Sequence, residues 1–203
     1  MKPIGIFDSG IGGLSVYLNC KKLLPKENFI YLDDGRHAPY GDRTEEYVTA
    51  RAVENTRFLL SCGAKAVVIA CNTATTVAVS AVRQMFGGII VGTEPAIAPA
   101  LAATSGRVLV LATPLTCSVL QKRFGSDRLT FSPQPTLAAE IETAGERQLA
   151  EIAERTTAGD YEAVVLGCTH YSFLAPHIKI KVFDGAEGVA RRLKSLLSAI
   201  SEK

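Results

Sequence analysis

Short aliphatic runs alternate with amphipathic stretches along this chain, the pattern of a parallel sheet wrapped by helices. Val67-Val68-Ile69-Ala70 and Val164-Val165-Leu166-Gly167 have no polar alternate, as expected of strands covered on both faces. The pattern predicts strands near residues 3–8, 28–33, 64–70, 88–92, 107–112, 162–167 and 180–183, with a weaker one at 128–131. Helix ends are legible between them. Leu14, Tyr17, Leu18 and Leu24 share an expected apolar face that Pro25 terminates. Thr44 before Glu45 and Glu46 reads as an N-cap with an acidic first turn. Thr93-Glu94-Pro95 is expected to open another helix, with Pro95 near its first turn. The chain is expected to divide there: residues 1–93 plus 183–203 form a first α/β lobe, and residues 94–182 a second.

Composition narrows the partners. The 22 basic and 20 acidic residues nearly cancel, and neither sign forms a long block. Nothing in that balance points to a nucleic acid or a membrane surface, so a small molecule is the expected ligand. The N-terminal stretch reaches Asp8 too soon for the apolar segment of a signal peptide, and no run approaches a membrane span. A cytoplasmic location is expected. The five cysteines are odd in number and include no Cys-x-x-Cys pair, which disfavours a disulfide framework or a zinc ribbon. Cys20, Cys62 and Cys117 read as small buried hydrophobes.

Cys71 and Cys168 are different. Each ends an aliphatic run and opens a polar one, Cys71-Asn72-Thr73 and Cys168-Thr169-His170, so each is expected at a strand's carboxyl end, where open α/β sheets bind ligands. The two segments form a faint internal repeat. A thiol there is easier to ionise beside a helix N-terminus or a protonated histidine, and His170 lies close to Cys168 in sequence. Asp8 is expected to serve Cys71 in the same way if the first and third strands are neighbours. The first turn, Asp8-Ser9-Gly10-Ile11-Gly12-Gly13, is glycine-rich and opens a helix, so its N–H groups are expected to face an anion. A dinucleotide fingerprint would want glycine or alanine where Ser15 stands, and Asp33 and Asp34 only approach its acidic position, so a short carboxylate is the better guest. Asn72, Thr73 and Thr75 after the third strand, and Thr113 and Thr116 after the fifth, are expected to converge on the same cleft.

Two thiols facing one small anionic guest suit a cofactor-independent racemase. One thiolate removes the Cα proton from one face, and a thiol on the other face supplies a proton. Preorganised donors must stabilise the charge that develops. No lysine lies within these motifs to form a Schiff base with pyridoxal.

Asp8-Ser9-Gly10-Ile11-Gly12-Gly13, Pro39-Tyr40-Gly41, Ala70-Cys71-Asn72-Thr73-Ala74-Thr75 and Gly167-Cys168-Thr169-His170-Tyr171 resemble, in order and spacing, the motifs of the glutamate racemases within the aspartate/glutamate racemase family. Gly92 to Ile97, Ala112 to Thr116 and Asp184 to Leu197 resemble further family segments, so the resemblance spans nearly the whole chain. It implies an α/β fold of two similar parallel-sheet lobes with the active site in the cleft between them. It also implies an isomerase that needs no cofactor or metal and interconverts L- and D-glutamate, supplying the D-isomer for peptidoglycan. By the same resemblance Cys71 acts on D-glutamate and Cys168 on L-glutamate, assisted by Asp8 and His170. A family glutamate maps to Glu142 or to Glu140. Ser9, Pro39, Tyr40, Gly41, Asn72, Thr73, Thr113, Thr116 and Thr169 would hold the substrate together with Asp8 and His170.

The chain is shorter than many members around 131–160 and between Pro176 and Val182, and a homodimer is the expected assembly. Ser172 stands where many members have proline, which is expected to loosen the loop behind His170. Other readings remain open at this point. An aspartate or mixed-specificity racemase needs the same thiols around a smaller pocket. Cys71, Cys168, His170 and Asp8 would alternatively satisfy zinc, or the scaffold would bind a ligand without catalysis. A Cys/His hydrolase gives the second cysteine no role.

Overall fold

The structure, a computed structural model, describes residues 2–201. The strands among these residues are β1 (Ile4–Asp8), β2 (Phe29–Asp33), β3 (Ala66–Ile69), β4 (Ile89–Gly92), β5 (Val108–Ala112), β6 (Leu129–Pro133), β7 (Ala163–Gly167) and β8 (Lys181–Asp184). They form two four-stranded sheets, ordered β2-β1-β3-β4 and β6-β5-β7-β8, and every pairing is parallel. The two orders are the same, so β1 corresponds to β5 and β3 to β7. The faint repeat around the two cysteines is the sequence trace of that correspondence: each thiol follows the third strand of its sheet.

Among the described residues the α-helices that cover the sheets are α1 (Leu14–Leu23), α2 (Glu45–Ser61), α3 (Asn72–Phe86), α4 (Ile97–Ala103), α5 (Pro114–Arg123), α6 (Leu137–Thr143), α7 (Glu146–Thr156) and α8 (Ala186–Ser201). Successive strand residues face opposite sides. Val68 therefore joins Ile4, Ile6, Val16, Ala190 and Leu193 under α1 and α8, while Val67 and Ile69 join Phe7, Val48 and Ala78 under α2 and α3. In the second sheet Leu109 and Leu111 pack with Leu137, Ile141 and Ile152, and Val108 and Val110 with Ile97 and Leu120. Burial on both faces explains the unbroken aliphatic runs. Among the described residues no helix is long and apolar enough to cross a membrane.

Three local expectations are corrected. Val16 and Cys20, not Leu14 and Leu18, face the core from α1; Leu14 and Leu18 are 41% and 62% exposed. Residues two apart on a helix lie on roughly opposite sides, so the phase that α8 and the sheet select turns Leu14 and Leu18 outward. The helix expected from Thr93 begins at Ile97. Thr93 cannot cap it, because its hydroxyl donates to Ile69 O (2.9 Å) and its N–H reaches Thr75 Oγ1 (2.9 Å), fastening β4 to its neighbours. Cys62, following α2, is exposed rather than buried.

Candidate active site

The topology brings the carboxyl ends of the four inner strands to one cleft between the sheets. A cavity of about 310 Å³ opens there, lined by Ser9, Pro39, Tyr40, Gly41, Cys71, Asn72, Thr73, Thr113, Glu142, Cys168 and His170. Gly35, Ala38, Ala138 and Ala139 complete the wall. Sequence reasoning missed these four, since small side chains shape a wall without carrying a chemical signal. The volume lies at the small end of ligand sites, ~300–1,000 Å³, and suits an amino acid better than a dinucleotide.

Cys71 is itself the N-cap of α3, its Sγ accepting from Ala74 N at 3.5 Å, and Ser9 Oγ lies 3.5 Å from the same sulfur. The polar side chains that follow it are thereby free for other bonds. Asn72 Nδ2 donates to Thr93 O (3.0 Å), and Thr75 Oγ1 donates to Ile69 O (3.2 Å), which removes Thr75 from the cleft. Thr73 Oγ1 lies 3.1 Å from Thr113 Oγ1, Thr113 donates to Thr116 Oγ1 (2.9 Å), and Thr116 donates to Thr73 (3.1 Å). This ring of hydroxyls joins the two lobes where α3 and α5 begin, and both helix N-termini favour an anion there.

Cys168 precedes a 3-10 stretch, Thr169–His177, and its Sγ lies 3.9 Å from His170 Nδ1. On the other side of the imidazole, Nε2 is 2.7 Å from Glu142 Oε1. Glu140 instead accepts from Thr136 and pairs with Arg155, facing away. Geometry thus selects Glu142 from the two candidates and orients the His170 ring toward Cys168. Ser172 tightens this segment rather than loosening it: its hydroxyl donates to Asp184, whose other oxygen accepts from Ala186 N at 2.6 Å.

Asp8 is fully buried. Its Oδ2 accepts from Gly13 N (2.9 Å) and Gly10 N (3.3 Å), and Thr169 Oγ1 donates to it at 3.2 Å. The anion expected over the glycine turn is therefore the chain's own carboxylate, which leaves those amides no capacity for a nucleotide phosphate. Asp8, Thr116 and Thr169 stand behind the cavity wall rather than in it.

Electrostatics departs from the expectation of easily ionised thiols. Burial pushes Cys71 up to about 11, with the Asp8 charge adding to it and the Ser9 and Ala74 donors only partly offsetting it. Burial raises Cys168 as well, and a charge on Cys71 raises it further. Desolvation of the thiolate outweighs the local donors. The mutual repulsion disfavours two thiolates together, leaving room for one thiolate opposite one thiol.

Burial raises Asp8 to about 6 against the pull of the His170 charge and its N–H donors. Its unfolded value is about 3.9, so its contribution to stability is complete below that value and is lost as pH rises through about 6. Asp8→Asn is accordingly expected to melt about 2–4 °C higher than the parent at pH 8, the shift about 1 kcal/mol produces in a chain of this size. The difference should close by pH 4, and thermal melts of both proteins across this range check it. An unchanged difference at all pH values would contradict a strained carboxylate.

Among the described residues no group of three or more His, Cys, Asp and Glu side chains is placed to hold a metal ion. Two thiols at equivalent strand ends face one small cavity, an arrangement suited to a proton-exchanging isomerase. The comparisons with known proteins narrow that class. The chain belongs to the Asp/Glu/hydantoin racemase family, whose sequence pattern matches residues 4–193. It is 42% identical to the glutamate racemase of Ectopseudomonas mendocina over 215 residues, covering 96% of this chain and 82% of that protein. The structure of Thermus thermophilus glutamate racemase in complex with β-chloro-D-alanine matches with a TM-score of 0.85 at 31% identity, covering 98% of this chain and 82% of that one. Escherichia coli glutamate racemase, solved with L-glutamate and the activator UDP-MurNAc-Ala, matches with a TM-score of 0.84 at 31% identity over 98% of this chain and 83% of that one.

Proposed function

We infer that this chain interconverts L- and D-glutamate by two-base proton transfer, without a cofactor. The observation that carries this reading is the pair of thiols, Cys71 buried and Cys168 half-buried, after equivalent strands of two like sheets, both lining one cavity. Racemisation must run through the same transition state in both directions, so it needs an acid and a base that can exchange roles. A thiolate at Cys71 removes the Cα proton of D-glutamate, electron density passes into the carboxylate, and the Cys168 thiol protonates the opposite face. The reverse sequence starts from a Cys168 thiolate on L-glutamate.

The raised Asp8 carboxyl stands beside Cys71, and His170 beside Cys168. Each takes the thiol proton when its cysteine becomes the base, and Glu142 steadies His170 and the charge it acquires. The substrate carboxylates are held by the hydroxyls of Thr73 and Thr113, backed by Thr116, and by the N-termini of α3 and α5. Ser9, Pro39, Tyr40, Gly41 and Asn72 shape the rest of the site, and Thr169 keeps Asp8 in place. We assign residues 1–93 and α8 to one lobe and residues 94–184 to the other, two residues beyond the expected boundary because β8 pairs with β7 through Asp184, so that each lobe carries one thiol.

The D-glutamate produced would enter bacterial peptidoglycan, and the enzyme would work in the cytoplasm as a homodimer. Chiral separation of products from each enantiomer of glutamate and aspartate, without added cofactor, tests the substrate assignment. Glutamate should racemise from both sides, at least about a hundredfold faster than aspartate by kcat/KM, because the shorter acid cannot reach both donor sets. Preference for aspartate would overturn it.

A further inference from the structure

We propose that Asp34 is a positioning residue for the cleft wall formed by Pro39, Tyr40 and Gly41, and that through this wall it sets substrate affinity without touching the substrate. The proposal rests on the reading of the cleft as the amino-acid site.

Asp34 follows β2 and is 7% exposed, yet it does not line the cavity. Its carboxylate gathers donors from α2 and from the segment on either side of Pro39. Arg51 of α2 reaches both oxygens, Nη2 to Oδ1 at 2.7 Å and Nε to Oδ2 at 2.9 Å. Asn55 Nδ2 donates to Oδ2 at 3.2 Å, and His37 Nδ1 lies 2.8 Å from Oδ1. The Tyr40 hydroxyl donates to Oδ2 and also accepts from Asn55 at 3.2 Å. Burial opposes the charge, but these donors outweigh it and hold Asp34 down at about 2, so the anion is permanent at neutral pH. A group so firmly ionised is suited to fixing neighbours rather than to moving protons.

What it fixes borders the site. His37 and Tyr40 flank Pro39, and both are tied to the same carboxylate. The Tyr40 hydroxyl is thereby held on Asp34, while Tyr40 and Gly41 both line the cavity. Gly41 in turn is pressed onto the other lobe: a Cβ there would fall 2.6 Å from Thr113 Cβ. The backbone N–H of Asp34 donates to Asp8 O at 3.0 Å, so the anchor is registered to the strand that carries Asp8. Loss of the anchor would let residues 38–41 drift against Thr113, changing the shape of the site for ground state and transition state alike. Uniform loss of binding raises KM while kcat is unchanged.

The test compares wild type with Asp34→Asn, which keeps the shape but gives Arg51 and Asn55 a donor to face. KM for both glutamate enantiomers should rise about tenfold and kcat should stay within about threefold, the loss expected when a buried polar group is left badly paired. Amide hydrogen exchange over residues 35–43 should accelerate at least about tenfold while β1 and β3 exchange as before. Arg51→Lys, which keeps the charge but loses the two-pronged contact, should shift both readouts in the same direction by less, and serves if Asp34→Asn does not fold. A kcat loss at unchanged KM, or unaltered exchange over 35–43 in a folded variant, would overturn the proposal. Failure of the wild type to act on glutamate would instead remove the substrate reading, and the exchange data would still decide whether Asp34 holds the wall.

Discussion

Replacing Cys71 or Cys168 with serine is expected to lower racemisation of both glutamate enantiomers by roughly 10³-fold, since each removes one of two acid–base groups that together carry the reaction. A hydroxyl fits either position but is far harder to ionise than a thiol already raised by burial. Turnover alone will not reveal which cysteine serves which face. Enantiomers are equal in free energy, so kcat/KM must fall by the same factor in both directions. Exchange without inversion does separate them. Cys168→Ser retains the Cys71 base and should still wash the Cα proton of D-glutamate into solvent, whereas Cys71→Ser should do so only with L-glutamate. Exchange of the same enantiomer by both variants would contradict the assignment.

The second large effect is steric. Gly12→Ala is expected to lower kcat/KM by about 10²-fold, the cost of displacing a reacting group by an ångström or less. A Cβ on Gly12 would lie 2.7 Å from both His170 N and Thr169 Oγ1, and 2.8 Å from His170 Nδ1. The backbone nitrogen cannot swing aside, so the new methyl must push the Cys168–His170 segment away from the first lobe. Gly10→Ala is the matched control. The nearest atoms to its Cβ are those of the His170 ring, at 3.3 Å and 3.4 Å, and the Glu142 carboxylate at 3.6 Å. That variant should lose less than about tenfold, because side-chain ends yield where a main chain does not. Steady-state kinetics on the two variants, with melts to confirm folding, settles the comparison; equal losses would remove the close approach at Gly12 as the cause.

The inner strands are legible in the sequence because burial on both faces writes β1, β3, β5 and β7 as short, nearly continuous apolar runs. By contrast β6 is an edge strand whose residues are only half covered, so its signal is fainter. α1 shows the limit of helical periodicity: Leu14 and Leu18 have the right spacing, but contact with α8 and the sheet chooses Val16 and Cys20 as the buried pair. The cysteine contexts mark the cleft because polar residues follow apolar strands abruptly. What the local sequence does not carry is partner choice. Asp8 closing on its own glycine turn, the Thr73–Thr113–Thr116 ring and the choice of Glu142 over Glu140 depend on how loops meet after folding. In sequence Asp34 only approaches the acidic position of a dinucleotide fingerprint, and it is the placement of Arg51, Asn55 and Tyr40 around it that marks it as an anchor.

Two-base transfer through Cys71 and Cys168 is tested most directly by proton NMR of L- and D-glutamate, each incubated separately with the reduced protein in D2O without cofactor. Loss of the Cα proton accompanied by formation of the opposite, deuterated enantiomer from either starting isomer is the predicted result. The starting pools should gain deuterium more slowly than product forms, because the proton removed by one thiol is not the one returned by the other. A folded protein that leaves both isomers unexchanged, or inverts them with the original proton retained, would contradict the mechanism.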